Sequence, residues 1–409
     1  MGTEVPHALW VSLVGTAVVL AALIKSLFAR MGIPALVGYL LLGFLLRLAD
    51  LRWGLLTEPV RYAFAFLADM GVVALLFEVG LKSHPGALAQ KLPRASLIWL
   101  GDITLSALFG YAGAYYVLGL PLLPSLVVAT GLTATSVGVS VSAWQQAINS
   151  PNGQVLIDVA ELDDLSGIAL MALLFISLLP VLQGSQEDFW PALGLTGGIF
   201  LLKLAFFLSF CLLFSRYLEP RFSHLARYLE PSRPQRMLLI AGLGFLIASM
   251  ADWLGFSLAI GALFAGLVFS RDPVAVKTEA SFQDLYSFFT PFFFIGIGIH
   301  IDPTALTQAI GFGDVFLLAA ILGKVIGAGI PALLIAQPTS ALLISVSMVP
   351  RAEIAMIITH QGYKMGVISN EVYAGMALVT AGTCILAPWL LRDLLRHWPQ
   401  TDVSSKPTN

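Results

Sequence analysis

Thirteen apolar runs follow one another along this chain, at residues 8–28, 34–48, 62–81, 96–118, 122–147, 153–182, 193–214, 236–252, 257–269, 282–299, 314–336, 340–360 and 370–392. A helix needs about 20 mostly apolar residues to cross the hydrocarbon of a bilayer. In lipid every backbone N–H and C=O must be satisfied within the protein, so runs of this kind form helices. The sequence therefore predicts an all-α membrane protein with 13 transmembrane helices. The runs at 34–48 and 257–269 are too short alone and must borrow flanking residues. Charged residues make up 11% of the chain, against about a quarter in a soluble domain. A net charge of −2 leaves no electrostatic footprint for nucleic acid. Cys211 and Cys384 both lie in apolar runs and read as small buried hydrophobes. The first run has basic residues after it and none before it, the pattern of a spanning helix and not of a signal peptide.

Lysine and arginine set the orientation. With the N-terminus outside, the inside loops carry fifteen basic residues and the outside loops four, namely Arg47, Arg52, Arg61 and Lys364. The chain is thus read as multi-pass, with its N-terminus out and its C-terminus in.

The chain also repeats itself. Gly38 and Gly43 in the second run match Gly261 and Gly266 in the ninth, an offset of 223 residues. Gly80 and Pro85 at the end of the third run match Gly298 and Pro303 at the end of the tenth, at an offset of 218. Seven runs separate the partners, an odd number, so the two copies have opposite orientation. Inverted repeats of this kind are a mark of secondary transporters, with the substrate at the repeat interface. The repeat pairs the fifth run with the twelfth, and both look interrupted. One contains Thr130-Gly-Leu-Thr133-Ala-Thr135-Ser136, the other Val349-Pro350-Arg351-Ala-Glu353. A proline beside a charged pair cannot continue a lipid-facing helix. Two broken, crossing helices at equivalent positions point to a central ion site. Arg351, Glu353 and Lys324 are candidates to compensate the helix dipoles that end there.

Ionisable residues at bilayer depth mark ion or proton paths by default. Asp163 and Asp164 stand side by side in the sixth run, and Lys324 stands alone in the eleventh. The opposing reading is a structural ion pair, which carries more weight for Lys324 than for the two acids. Glu78 and Asp102 read as polar residues of the core, Asp158 and Glu161 as residues near an aqueous funnel, and His300 as a residue at a helix end. Oxygen ligands from carboxylate, threonine and carbonyl groups suit a hard monovalent cation.

Thr133-Ala-Thr135-Ser136, Asp163-Asp164, Lys324 and Val349-Pro350-Arg351-Ala-Glu353 together resemble the monovalent cation/proton antiporters, in the CPA2 branch that includes the NapA-type sodium/proton exchangers. Phe77-Glu78-Val-Gly80-Leu and Phe294-Ile-Gly296-Ile-Gly298 fit the same pattern, and the resemblance runs from about Gly38 to Leu391. It implies an NhaA/NapA-like homodimer in a bacterial inner membrane, with a mobile core against a fixed scaffold. Scaffold helices 1–3 would occupy residues 1–92 and scaffold helices 8–10 residues 236–303. Core helices 4–6 would occupy 93–182 and core helices 11–13 residues 314–395. Helix 7 at 190–216 would link the halves, and 396–409 would be a polar tail. By the same resemblance, Asp164 is the principal ion-binding carboxylate, Asp163 pairs with Lys324, and Thr133 lies beside the site. Thr135, Ser136, Pro350, Arg351 and Glu353 shape the crossover. The transported species are Na⁺ or Li⁺ and H⁺, with no cofactor. Lysine beside Asp-Asp implies electrogenic exchange, two protons per cation, with Lys324 giving up a proton as the cation arrives. Two positions depart from the pattern. Lys82 stands where an acid is common, which should touch only a cytoplasmic loop, and Glu161 adds a carboxylate one turn before Asp164.

The first alternative is a potassium/proton antiporter on the same scaffold. Relatives with glutathione-gated potassium efflux tend to carry Gln-Asp in place of Asp-Asp, which disfavours it. A cation channel is a second alternative, but the chain has no Thr-Val-Gly-Tyr-Gly filter. Gly311-Phe-Gly-Asp314 matches one motif of intramembrane aspartyl proteases. The Tyr-Asp that would supply the second catalytic acid is nowhere in the chain, so an enzyme is not expected.

Overall fold

The computed structural model describes residues 7–83, 85–178, 189–222, 233–270 and 279–400, and every regular element among them is helical. In chain order the α-helices are α1 His7–Met31, α2 Ala35–Trp53, α3 Glu58–Lys82, α4 Pro85–Ala112, α5 Leu122–Thr133, α6 Val137–Trp144, α7 Pro151–Ala172 and α8 Phe189–Leu213. They continue as α9 Arg233–Trp253, α10 Leu258–Phe269, α11 Glu279–His300, α12 Leu306–Ala332, α13 Pro338–Ser347, α14 Glu353–Lys364 and α15 Asn370–His397. Among the described residues, seven stretches are long and apolar enough to cross a membrane. The predicted polar tail beyond residue 400 lies outside the described residues, as do residues 179–182 at the end of the predicted sixth run.

The two short runs resolve differently. α2 extends past its predicted end at residue 48 to Trp53 and stops where Gly54, at φ 61°, returns its N–H to the Asp50 carbonyl. An ion pair between Arg47 and Asp50 at 3.2 Å spans the predicted end. α10 borrows nothing on its N-terminal side. A turn through Gly255, at φ 89°, precedes it, and Ser257 caps it by accepting the Ile260 N–H. Its 12 residues rise about 18 Å.

The chain divides into two compact units. The first comprises Met1–Val18, Leu56–Pro85 and Ala172–Gly296. In it α10 lies along α3 at a glycine contact. A Cβ on Gly80 would collide with the Leu263 carbonyl, and one on Gly266 with the Phe77 carbonyl. Small residues allow such backbone approach where apolar side chains gain nothing by leaving lipid. Phe77, Phe207, Phe214, Phe256 and Phe269 form the apolar core around that contact.

The second unit comprises Val19–Leu55, Gly86–Met171 and Ile297–Asn409. Gly298 meets α2 in the same manner, with the Leu40 carbonyl where its Cβ would be and Gly43 beside it. Within this unit α12 packs along α15, and Gly327 of α12 rests on the Gly101 carbonyl of α4. Ile98, Trp144, Leu156, Leu343, Met348 and Leu391 fill its core.

Both predicted interruptions are present, and both fall in the second unit. Residues 134–136 separate α5 from α6, and residues 348–352 separate α13 from α14. Proline at 350 cannot donate an N–H and disfavours a helical residue before it. The broken ends then satisfy each other's backbone, as buried polar groups must. The Ser136 N–H donates to the Pro350 carbonyl at 2.8 Å. Thr135 Oγ1 donates to the Met348 carbonyl at 3.3 Å and Ser140 Oγ to the Ser347 carbonyl at 2.6 Å. Trp144 Nε1 donates to Ser347 Oγ at 2.8 Å.

Candidate functional site

Beside this double interruption three helices deliver ionisable side chains to one point. Lys324 is fully buried, in the C-terminal half of α12. Its Nζ donates to Asp102 Oδ2 on α4, to the Thr133 carbonyl at the end of α5 at 2.6 Å, and to Asp163 Oδ2 on α7 at 3.2 Å. Asp102 and Asp163 are also fully buried. The Thr133 carbonyl is the last of α5, one of the helix-end carbonyls that lack an intrahelical donor. Thr133 Oγ1 donates to the Thr130 carbonyl at 2.7 Å, which leaves its oxygen able to accept.

Each carboxylate presents one oxygen to Lys324 and keeps another. Among the described residues, Asp102 Oδ1 and Asp163 Oδ1 have no hydrogen-bond partner, and neither have Nε and Nη2 of the buried Arg351. Through Nη1, Arg351 donates to the Met348 carbonyl at 3.2 Å and to Thr135 Oγ1 at 3.4 Å. Its backbone N–H donates to Thr383 Oγ1 at 3.1 Å, and Cys384 Sγ donates to its carbonyl at 3.0 Å. The guanidinium is thus fixed within the α13–α14 break, with Asp102 and Asp163 as its acidic neighbours.

Asp164 is partly exposed, unlike Asp163. Its charged neighbours are Asp163, Glu353, Lys324 and Glu161, so three acids and one base surround it. Glu353 opens α14 and accepts from Ser136 Oγ at 3.0 Å, which ties one break to the other. The predicted residues Thr133, Thr135, Ser136, Asp163, Asp164, Lys324, Pro350, Arg351 and Glu353 thus share one neighbourhood. A partly exposed carboxylate next to a buried one with an unpartnered oxygen can hold a proton or a hard cation, and the two compete for the same lone pairs.

Asp102 is more than a polar residue of the core. It forms the shorter of Lys324's two ion pairs. Two signals in the sequence mark it. It is an acid inside an apolar run, the same ground on which Asp163 stood out. It also lies 222 residues before Lys324, within the range of the repeat offsets. Lys82 likewise does more than face a loop. It ends α3 and pairs with Glu78 at 2.5 Å. His300 is exposed, with the His360 ring 5.4 Å away and the Tyr363 ring 6.1 Å away. Asp314 is exposed on α12.

The family described as "Sodium/hydrogen exchanger, transmembrane" matches residues 16–397. A Na⁺/H⁺ antiporter of Enterococcus hirae is 28% identical over 372 residues, covering 89% of this chain and 92% of that protein. The Na⁺/H⁺-K⁺ antiporter GerN of Bacillus cereus is 27% identical over 373 residues, covering 90% and 91%. Among solved structures, the sodium proton antiporter MjNhaP1 of Methanocaldococcus jannaschii superposes with a TM-score of 0.61 at 16% identity, covering 95% of this chain and 96% of that one. At that identity the likeness concerns the fold alone.

Proposed function

Because the chain belongs to the sodium/hydrogen exchanger family of transmembrane proteins, we propose that it exchanges Na⁺ for H⁺ across the membrane by alternating access, with Asp164 as the exchanging carboxylate. One observation carries the assignment. Asp164 is the partly exposed acid beside a buried Asp163–Lys324 pair, at the point where two broken helices meet. Cation and proton compete for Asp164, and the loaded site is carried from one side to the other. That competition is the coupling, so the cycle needs neither ATP nor covalent chemistry. Asp163 supports the cation through its unpartnered Oδ1, a role favoured by the Lys324 ammonium that Asp163 shares with the Thr133 carbonyl.

The architecture proposed with this function is a 13-helix inverted repeat. Fifteen helices are described, and counting α5–α6 and α13–α14 as one crossing each leaves thirteen. The glycine contacts support the repeat. Gly43 with Gly298 and Gly266 with Gly80 are the same contact with the partners exchanged, at offsets of 223 and 218. The scaffold and core assignments, the homodimer, and an inner-membrane orientation with the N-terminus out belong to the same proposal.

The test is dissipation of an imposed pH gradient in proteoliposomes, with Na⁺, Li⁺ and K⁺ added in turn. Recovery with Na⁺ and Li⁺ is the expected outcome. Recovery with K⁺ alone would make the chain a potassium/proton antiporter, a reading favoured by the potassium in the name of the GerN relative. Current without any proton gradient would indicate a channel.

A further inference from the structure

Lys324 leans on two carboxylates, and only one of them belongs to the Asp163-Asp164 pair. Asp102 arrives from α4, and its contact with Nζ is the closer of the two ion pairs. It is set there by backbone packing. Gly101, next to it, touches the Gly327 carbonyl of α12, and Gly323, next to Lys324, abuts Ser106 of α4. The pair is therefore held by two helices that cannot separate without opening that contact. Water is excluded from all three side chains of the triad, which strengthens the attraction between opposite charges. The other charged or titratable groups around the triad are Asp164 on α7, Arg351 in the α13–α14 break, Glu353 on α14 and Cys384 on α15.

We infer that Asp102 is a positioning residue for the exchange: it stays with Lys324 when a cation draws Asp163 away, and so keeps Lys324 an ammonium through the cation-loaded half of the cycle. The inference rests on the exchange reading above. The charge count follows from it. Na⁺ arriving at Asp164 displaces one proton, that of the Asp164 carboxyl. Lys324 has lost Asp163 but not Asp102, and it releases none. Without Asp102 the ammonium would face only the Thr133 carbonyl once Asp163 is engaged, and losing its proton would then relieve a buried, uncompensated charge. The resemblance by itself implies two protons per cation, and it takes no account of a carboxylate at position 102.

The experiment is the proton-to-sodium ratio of purified protein in liposomes, read from the membrane potential at which net flux vanishes under fixed pH and Na⁺ gradients. Wild type, Asp102→Asn and Asp102→Glu are compared. Expected are a ratio near one in the wild type, a rise toward two with a steeper voltage dependence in Asp102→Asn, and return to the wild-type ratio in Asp102→Glu. A ratio of two already in the wild type overturns the inference, and that arm holds even where Asp102→Asn does not fold. An unchanged ratio in Asp102→Asn with only the rate reduced overturns it as well, leaving Asp102 a purely structural partner. Failure of the exchange reading looks different: wild-type protein would move no protons in response to Na⁺, and no ratio would exist.

Discussion

The Ser136 amide donates to the Pro350 carbonyl at 2.8 Å, across more than half the chain, and so joins the two interrupted helices at their breaks. Neither helix can mend itself without stripping the other of a backbone partner. Trp144 and Ser347 extend the same seam. Trp144→Phe keeps the ring in the core and removes the N–H that reaches Ser347. It should lower stability by about 1–2 kcal/mol, visible as an earlier thermal transition of purified protein in detergent, while Na⁺/H⁺ exchange persists. An unshifted melt would mean that this bond contributes nothing.

Asp164→Asn preserves the shape of the side chain but removes the proton-exchanging carboxyl. Exchange in proteoliposomes should fall to the level of empty vesicles, with the elution profile and melting temperature close to wild type. Asp163→Asn should act differently, because Asp163 is fully buried and bonded to Lys324. It should reduce apparent Na⁺ affinity and also shift the melt. Vigorous exchange by Asp164→Asn would move the site elsewhere.

The paired glycine contacts make a prediction about packing alone. Gly266→Ala and Gly298→Ala each place a methyl group against backbone, at Phe77 and Leu40 respectively. Backbone cannot step aside as a side chain can, so each should cost about 1–3 kcal/mol or more. Gly198→Ala is the control. It lies on an exposed helix face with nothing within 4 Å, and alanine there should be neutral or stabilise by up to about 1 kcal/mol. Equal melts for all three would show that the close approaches are not needed.

Much of this was legible in the sequence because lipid leaves a chain few options. Apolar runs had to be helices, and Pro350 with Arg351 had to interrupt one of them. The acids at 163 and 164 stood out because they are adjacent carboxylates inside an apolar run. What sequence reasoning weighed too lightly is Asp102, and the reason is physical. Its importance lies in a partner 222 residues away, and only the α4–α12 backbone contact brings the two together. Helix ends were blurred for a similar cause. Arg47 and Asp50 look too polar for a helix until they pair with each other inside α2.

Arg351 offers the sharpest test of how the breaks are stabilised. It is fully buried, donates to the Met348 carbonyl, and has Asp102 and Asp163 as acidic neighbours. Two positive and two negative side chains, Lys324 and Arg351 with Asp102 and Asp163, thus balance in a space without solvent access. Arg351→Met keeps most of the volume and removes the charge. Because it leaves buried carboxylates under-compensated, it should destabilise by about 3–5 kcal/mol. Arg351→Lys retains the charge and loses the planar set of donors, and should cost only about 1–2 kcal/mol. Thermal melts of both variants in the same detergent decide the matter. If Arg351→Met melts no earlier than Arg351→Lys, the guanidinium serves the broken helix ends through its hydrogen bonds and not through its charge.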